Sequence, residues 1–196
     1  MTSETAGVNE TNESDETDHS NGAGGSGAGG PLVVLTGPPA AGKSAVGRLL
    51  SDRLNTSFVD TDAQIEASAG KPVGDIFVDD GEDAFRDLER AAVGRALRAG
   101  GAVIALGSGA VLDPAVQESL AGQPVAYLSA DFGPIARRLG LDKPRVVIPG
   151  NPRGRLRTLL EERRPVYERL ATFTVDAGEL APEEVADEIE AWLAAR

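Results

Sequence analysis

Four residues in the stretch Val33 to Leu50, "VVLTGPPAAGKSAVGRLL", are spaced for phosphate chemistry. Gly37, Gly42, Lys43 and Ser44 satisfy G-x-x-x-x-G-K-[ST], the Walker A pattern. A loop of this length wraps its backbone N–H groups around phosphate oxygens at the positive end of a helix dipole. Gly37, Ala40, Ala41, Gly42, Lys43, Ser44 and Ala45 are therefore candidate contacts to a bound nucleotide. In such a loop the lysine reaches the β- and γ-phosphates, and the hydroxyl serves a magnesium ion. Two carboxylates follow in "VDTDAQIE", Asp60 and Asp62. Two apart at the end of a run that reads as a strand, they point the same way, toward the sheet edge where ligands bind. One can help to hold Mg2+ through water, and the other can accept a hydroxyl proton or hydrogen-bond to it. A plainer role is open to them as well, a turn with a helix N-cap at Thr61 or Asp62. The only histidine, His19, lies in an N-terminal arm, which leaves a carboxylate as the natural base. Phosphoryl transfer through a loose transition state needs little base strength, because positioning and charge stabilisation carry most of the work.

These residues need a scaffold, and the hydrophobic pattern supplies one. "PLVVLTG" is a short β-branched run ending in glycine, and "KSAVGRLLSDRL" carries apolar residues at helical spacing. "SFVDTD", "AVIAL", "PVAYLSA" and "TFTVDA" read as four further strands. Between them fall helices: "AQIEASAG" closed by Gly70, a turn of helix followed by a longer helix from about Glu82 to Gly100, "PAVQESLAG", and "RLRTLLEERRPVYERLA". "APEEVADEIEAWLAAR", with Pro182 at its start, reads as an amphipathic C-terminal helix. Strands alternating with helices predict a three-layer α/β/α fold around a mostly parallel five-stranded sheet. After Ala136 the pattern is broken by Pro144, Pro149, Gly150, Pro152 and Gly154.

Composition narrows the function classes. Residues 1–30 hold six acids, no Lys or Arg, and the run "NGAGGSGAGG", so they are expected to form a disordered acidic tail beside a folded domain over 31–196. The arm lacks the charge and apolar order of a secretory signal, and no later apolar run is long enough to span a membrane, so a cytoplasmic protein is expected. The net charge of −12 argues against general nucleic-acid binding. The absence of cysteine excludes disulfides, thiolate metal sites and cysteine catalysis. The bases are unevenly placed: nine Arg and one Lys lie between Arg137 and Arg169, against four acids. Such a cluster is either a solvated helix face or a clamp for a polyanion.

Taken together, "GPPAAGKSAVGRLL", "VDTDAQIE", "DIFVDDGEDAFRDLE", "IALGSGAV" and "ERRPVYERLAT" occur in the order and approximate spacing of shikimate kinase, over about residues 31–195. The resemblance implies a small P-loop kinase, which phosphorylates the 3-hydroxyl of shikimate with MgATP on the route to chorismate and aromatic amino acids. It implies an acceptor-binding helical region near 63–95, a mobile lid near 138–155, and a monomer whose only partners are its small-molecule substrates. By position, the resemblance places Asp60 near Mg2+ with Ser44, and makes Asp62 the residue that binds the acceptor hydroxyls and acts as base. It gives Arg86 to the substrate carboxylate, a group that a planar guanidinium grips through two parallel hydrogen bonds, and makes Arg163 the second substrate arginine. Gly107, Ser108 and Gly109 would line the acceptor site. Arg145 would meet the ATP phosphates as the lid closes, a catalytic role shared with Lys43, and Arg138 would stack on adenine. The basic cluster then has a use: delivering cations to the transferring phosphate and excluding water.

Several positions depart from the family pattern. Ala40 replaces a glycine in the phosphate loop, a change expected to be tolerated if its φ stays negative. "LGSGA" replaces Gly-Gly-Gly-Ala, so Ser108 keeps the backbone N–H but adds a Cβ and a hydroxyl, at a strain cost if the position needs φ > 0. Weakened shikimate affinity or a changed acceptor is the expected consequence. Val146 follows Arg145 where proline is usual, and the late adenine-side arginine is missing near Leu180. Trp192 and Phe77 and Phe85 carry only an expectation of packing, the two phenylalanines with acceptor-wall duty as an alternative. Two rivals therefore remain open: a P-loop kinase for another hydroxylated acceptor of gluconate or nucleotide type, and a nucleotide-binding paralogue in which Ser108 blocks turnover.

Overall fold

Buried β-branched runs assemble the sheet that the sequence predicts. In the computed structural model, which describes residues 30–142 and 151–196, five strands lie in the order β2-β3-β1-β4-β5. They are β1 (Val33–Thr36), β2 (Phe58–Asp60), β3 (Val103–Ala105), β4 (Val125–Ser129) and β5 (Phe173–Asp176). Every described pairing is parallel, with Val34 opposite both Ile104 and Val125. The central strand β1 is wholly buried, as a strand covered on both faces must be. The chain runs from β1 first to one side of the sheet and then to the other, and ligands bind at such a reversal, beyond the carboxyl ends of the strands.

The helices are α1 (Lys43–Arg53), α2 (Thr61–Ala69), α3 (Val73–Asp79), α4 (Glu82–Arg98), α5 (Pro114–Ser119), α6 (Phe132–Arg138), α7 (Pro152–Leu170) and α8 (Pro182–Ala194). One face of the sheet packs Val33, Leu35 and Leu128 against Val46 and Leu50 of α1 and Ile189 of α8. The other packs Val34, Ile104 and Tyr127 against Val93 of α4 and Tyr167 of α7. Ile65, Ile76, Phe85 and Ala92 form a separate small core joining α2, α3 and α4, the region expected to bind the acceptor. Trp192 stacks on Phe173 with ring centroids 5.0 Å apart, the packing role its spacing suggested.

Two helices differ from the expectation. The α6 helix goes unseen in the sequence because it is seven residues long, holds Gly133 and Pro134 in its first turn, and buries only Ile135 and Ala136, too few for a period to show. The α7 helix begins at Pro152 rather than Arg155, since Asn151 caps it by accepting the Gly154 N–H at 2.8 Å. It then runs through Pro165, whose missing N–H would break an isolated helix; burial of Leu156, Leu160 and Tyr167 holds it in place. Among the described residues no helix is long and apolar enough to cross a membrane. The expected acidic tail lies outside the described residues except for Gly30, and the expected lid does so over 143–150.

Candidate active site

The loop between β1 and α1 has the geometry of an anion cradle. Gly42, at φ 96, turns the chain into α1, and no side chain caps the helix there, so the first amides are left for a ligand. Lys43 Nζ donates to Gly37 O at 2.8 Å and to Pro38 O at 3.0 Å, which folds the side chain back over its own loop. Burial lowers its pKa to about 8, against the opposing pull of Asp62 and Asp60. The expectation that Ala40 keeps a negative φ is overturned: its φ is 59. A left-handed alanine costs about 1 kcal/mol because its Cβ crowds the next carbonyl. Its carbonyl is held by Arg138 Nη1 at 3.1 Å. Ala40→Gly is accordingly expected to stabilise the protein by up to about 1 kcal/mol in urea unfolding, while an unchanged or lower midpoint would show the conformation to be unstrained.

The two carboxylates have different geometries from those expected of a strand end. The strand stops at Asp60, and Asp60 itself caps α2, accepting the N–H groups of Asp62 at 3.1 Å and Ala63 at 3.3 Å through Oδ1. The N-cap is thus neither Thr61 nor Asp62, and Asp62 stands in the first turn of the helix. Both still face the cradle, lining the same cavity of about 480 Å³ as Lys43 and Ser44. Ser44 Oγ donates to Asp60 Oδ2 at 2.6 Å. Two hard oxygens at the rim of a phosphate cradle fit a magnesium ion that arrives on a nucleotide and keeps phosphate and water as its other ligands. The carboxyl of Asp62 is pushed up, chiefly by burial and then by the neighbouring charge of Asp60, with Lys43 opposing. A raised carboxylate beside the phosphate cradle is a competent proton acceptor.

A second cavity, of about 180 Å³, adjoins the first and is lined by Phe77, Phe85, Arg86, Gly107, Gly109 and Arg163 among others. The rings of Phe77 and Phe85 lie 4.4 Å apart between centroids and both face the Arg86 guanidinium, so they line this cavity while Phe85 also packs in the small core of α2, α3 and α4. Arg86 Nη1 donates to Glu89 Oε2 at 2.6 Å and Nη2 to Glu82 Oε1 at 3.2 Å. Glu89 was not singled out in the sequence, although its spacing of three from Arg86 on one helix face was the available signal. Its side chain is only 3 % exposed, and burial raises its carboxyl although Arg86 pulls the other way. A side chain at Gly107 or Gly109 would displace the groups of this cavity: a Cβ at 107 would collide with the Asp62 carboxylate, and one at 109 would lie 2.9 Å from Arg86 Nη1.

Ser108 is not strained, because Ala40 and Asn55 are the non-glycine residues with positive φ among those described. The turn holding it is fastened by two groups that no sequence pattern pointed to. The Gly107 N–H donates to the buried Thr61 Oγ1 at 2.9 Å, and the Tyr167 hydroxyl donates to Ser108 O at 2.6 Å. Burial pushes the Tyr167 phenol up to about 12, so it remains a donor at any working pH. Arg138, expected on adenine, lines a third cavity of about 170 Å³ with Ala40, Ala41, Leu180 and Pro182. There its Nη2 donates to Ala177 O at 2.7 Å and Gly178 O at 3.1 Å. Leu180 thus offers an apolar wall where the family pattern has an arginine. Arg145 lies outside the described residues.

The family model described as shikimate kinase matches residues 39–194. A shikimate kinase of Thermobifida fusca (strain YX) is 53% identical over 157 residues, covering 80% of this chain and 91% of the relative. One from Salinispora arenicola (strain CNS-205) is 46% identical over 165 residues, covering 84% and 99%. Among solved structures, shikimate kinase from Acinetobacter baumannii in complex with shikimate superposes with a TM-score of 0.77 at 29% identity, covering 86% of this chain and 94% of that one. A gluconokinase from Sinorhizobium meliloti 1021, with a TM-score of 0.54 at 24% identity, shares the fold alone. With a family model matched over residues 39–194 and relatives near half identical over nearly their whole length, the chain belongs to the shikimate kinase family.

Proposed function

We propose that the protein transfers the γ-phosphoryl group of ATP to the 3-hydroxyl of shikimate, releasing ADP, within the route to chorismate and aromatic amino acids. The observation that carries this reading is the junction of two cavities, a phosphate cradle and a smaller pocket with two arginines, at the raised carboxyl of Asp62. The loop amides and Lys43 hold the phosphates, and Arg86 and Arg163 receive the acceptor carboxylate through paired hydrogen bonds. The acceptor hydroxyl then lies beside Asp62 as its oxygen bonds to phosphorus and the bond from phosphorus to the ADP oxygen breaks. Asp62 orients that hydroxyl and takes its proton. Ser44 and Asp60 would hold Mg2+, which neutralises phosphate charge when bound. Arg138 and the apolar wall at Leu180 would take the adenine, and Arg145 would supply charge from the lid. Phosphorus NMR of the product tests this reading. A single shikimate monophosphate esterified at the 3-hydroxyl is expected, and phosphate on another hydroxyl would refute the assignment of Asp62.

The half-buried lysine sets a pH limit. Because the Lys43 pKa is lowered to about 8 in the free protein, kcat/KM for ATP is expected to fall as pH rises through that value. Bound phosphate favours the charged amine, so kcat should hold to higher pH. Steady-state profiles over the alkaline range check this, and a kcat/KM that stays flat past that value would contradict it.

A further inference from the structure

Three consecutive positions cross the mouth of the acceptor cavity, and the middle one alone has a side chain. A Cβ at Gly107 would strike Asp62 and come within 3.1 Å of Glu89 Oε1, and one at Gly109 would crowd Arg86. Ser108 is free of both conflicts. Asp62 and Ser108 are also the two residues that line both the phosphate cavity and the acceptor cavity. The serine cannot wander, since its carbonyl takes the Tyr167 hydroxyl and Tyr167 is itself buried against Tyr127 at 5.2 Å between rings. One helical turn before Tyr167 on the same α7, Arg163 Nη1 donates to Ser108 Oγ at 3.4 Å. The backbone and the side chain of one residue are thus tied to two successive turns of one helix.

We propose that Ser108 is a positioning residue for the acceptor carboxylate, its hydroxyl holding the Arg163 guanidinium over the acceptor cavity until the carboxylate takes its place. The inference rests on the shikimate kinase reading and deepens it, since the hydroxyl is a feature of this chain rather than of the Gly-Gly-Gly-Ala pattern. Among the described residues no carboxylate pairs with Arg163 in an ion pair, so neutral hydroxyls order it: that of Ser108, which accepts from its Nη1, and the neighbouring Tyr167 phenol, which the same guanidinium touches. A neutral oxygen at this length is a weak acceptor, and an incoming carboxylate displaces it by offering two shorter, charge-assisted bonds. What the hydroxyl contributes is order beforehand: a long arginine that is already in place loses less rotamer freedom when the ligand arrives. Its charge also stays at the site where it acts on Lys43 and Glu89, both of which feel it.

The test uses the full chain and four proteins: wild type, Ser108→Ala, Arg163→Lys and the double variant. Shikimate binding is measured by calorimetry, and shikimate-dependent ADP release by steady-state kinetics, with circular dichroism and ATP titration confirming that each variant is folded. Ser108→Ala is expected to raise the shikimate Kd and KM about two- to tenfold, the net effect of one hydrogen bond. The loss should fall on KM rather than kcat, and it should shrink in the Arg163→Lys background, where the fork through which the hydroxyl acts is gone. Shikimate binding as tight as wild type or tighter in Ser108→Ala would overturn the proposal, as would an equal loss in both backgrounds. A wild type that binds shikimate but releases no ADP would sink the phosphotransfer reading, and the four dissociation constants would still decide this one. A wild type that does not bind shikimate overturns both.

Discussion

Asp62→Asn is expected to lower kcat by about 10²- to 10⁴-fold, the range over which a positioned general base contributes. Asparagine keeps the size of the side chain and a hydrogen-bonding oxygen, and the α2 N-terminus does not depend on it, because the cap is Asp60. The acceptor can therefore still bind, but its hydroxyl proton has no carboxylate to go to. Removing that charge has a second, electrostatic consequence. Asp62 is the largest of the influences that raise the Lys43 pKa against burial. Without it the amine loses its proton more readily, and the alkaline fall in kcat/KM for ATP should move to lower pH. Rapid-quench and steady-state measurements across pH check both parts. A variant with wild-type kcat would remove Asp62 from the proton's path.

Arg86→Ala is expected to reduce kcat/KM for shikimate by about 10²- to 10³-fold, with KM for ATP little changed, since truncating one side of a buried charged contact costs about 2–5 kcal/mol. Arg86→Lys should recover only part of the loss, because an ammonium cannot reproduce the fork. The same change also acts on the fold. Glu89 is buried against Arg86 Nη1 at 2.6 Å, and truncation leaves its carboxylate without that counter-charge. Its carboxyl is already raised by burial, so losing Arg86 raises it further. A carboxyl whose folded pKa lies above its unfolded value contributes stability at low pH that is lost as pH rises through the folded value. The stability deficit of Arg86→Ala should thus be largest at neutral pH and shrink on acidification. Urea unfolding at several pH values checks this, and a deficit independent of pH would mean that Glu89 finds another partner.

How much of this site could be read from the chain depends on what each residue does. Lys43, Ser44 and Asp60 sit in patterns with a fixed mechanism, and a strand followed by a helix was visible around them, so their grouping follows from local sequence. The helix around Arg86 was equally clear, but its direction of reach depends on Glu89 and on two phenylalanines, contacts that packing rather than spacing sets. Thr61 and Tyr167 lie 46 and 59 positions from the residues they hold, Gly107 and Ser108, and no local period records such distances. The backbone surprises have the opposite origin. Strain was expected where glycine was missing beside the acceptor, yet it falls on Ala40 in the phosphate loop, because the cradle needs a left-handed residue there and the Ser108 turn does not. Helix α6 escaped notice for a third reason: its few buried residues are too sparse to leave a periodic trace.

ADP release by the wild-type protein with MgATP, measured with shikimate, gluconate, a nucleoside monophosphate or no acceptor, tests the central claim most directly. Turnover that requires shikimate and saturates with it, and that stays near background with the other three, is the predicted result. Equal or faster release with gluconate or the nucleotide, or nucleotide binding with no turnover on any acceptor, would contradict it.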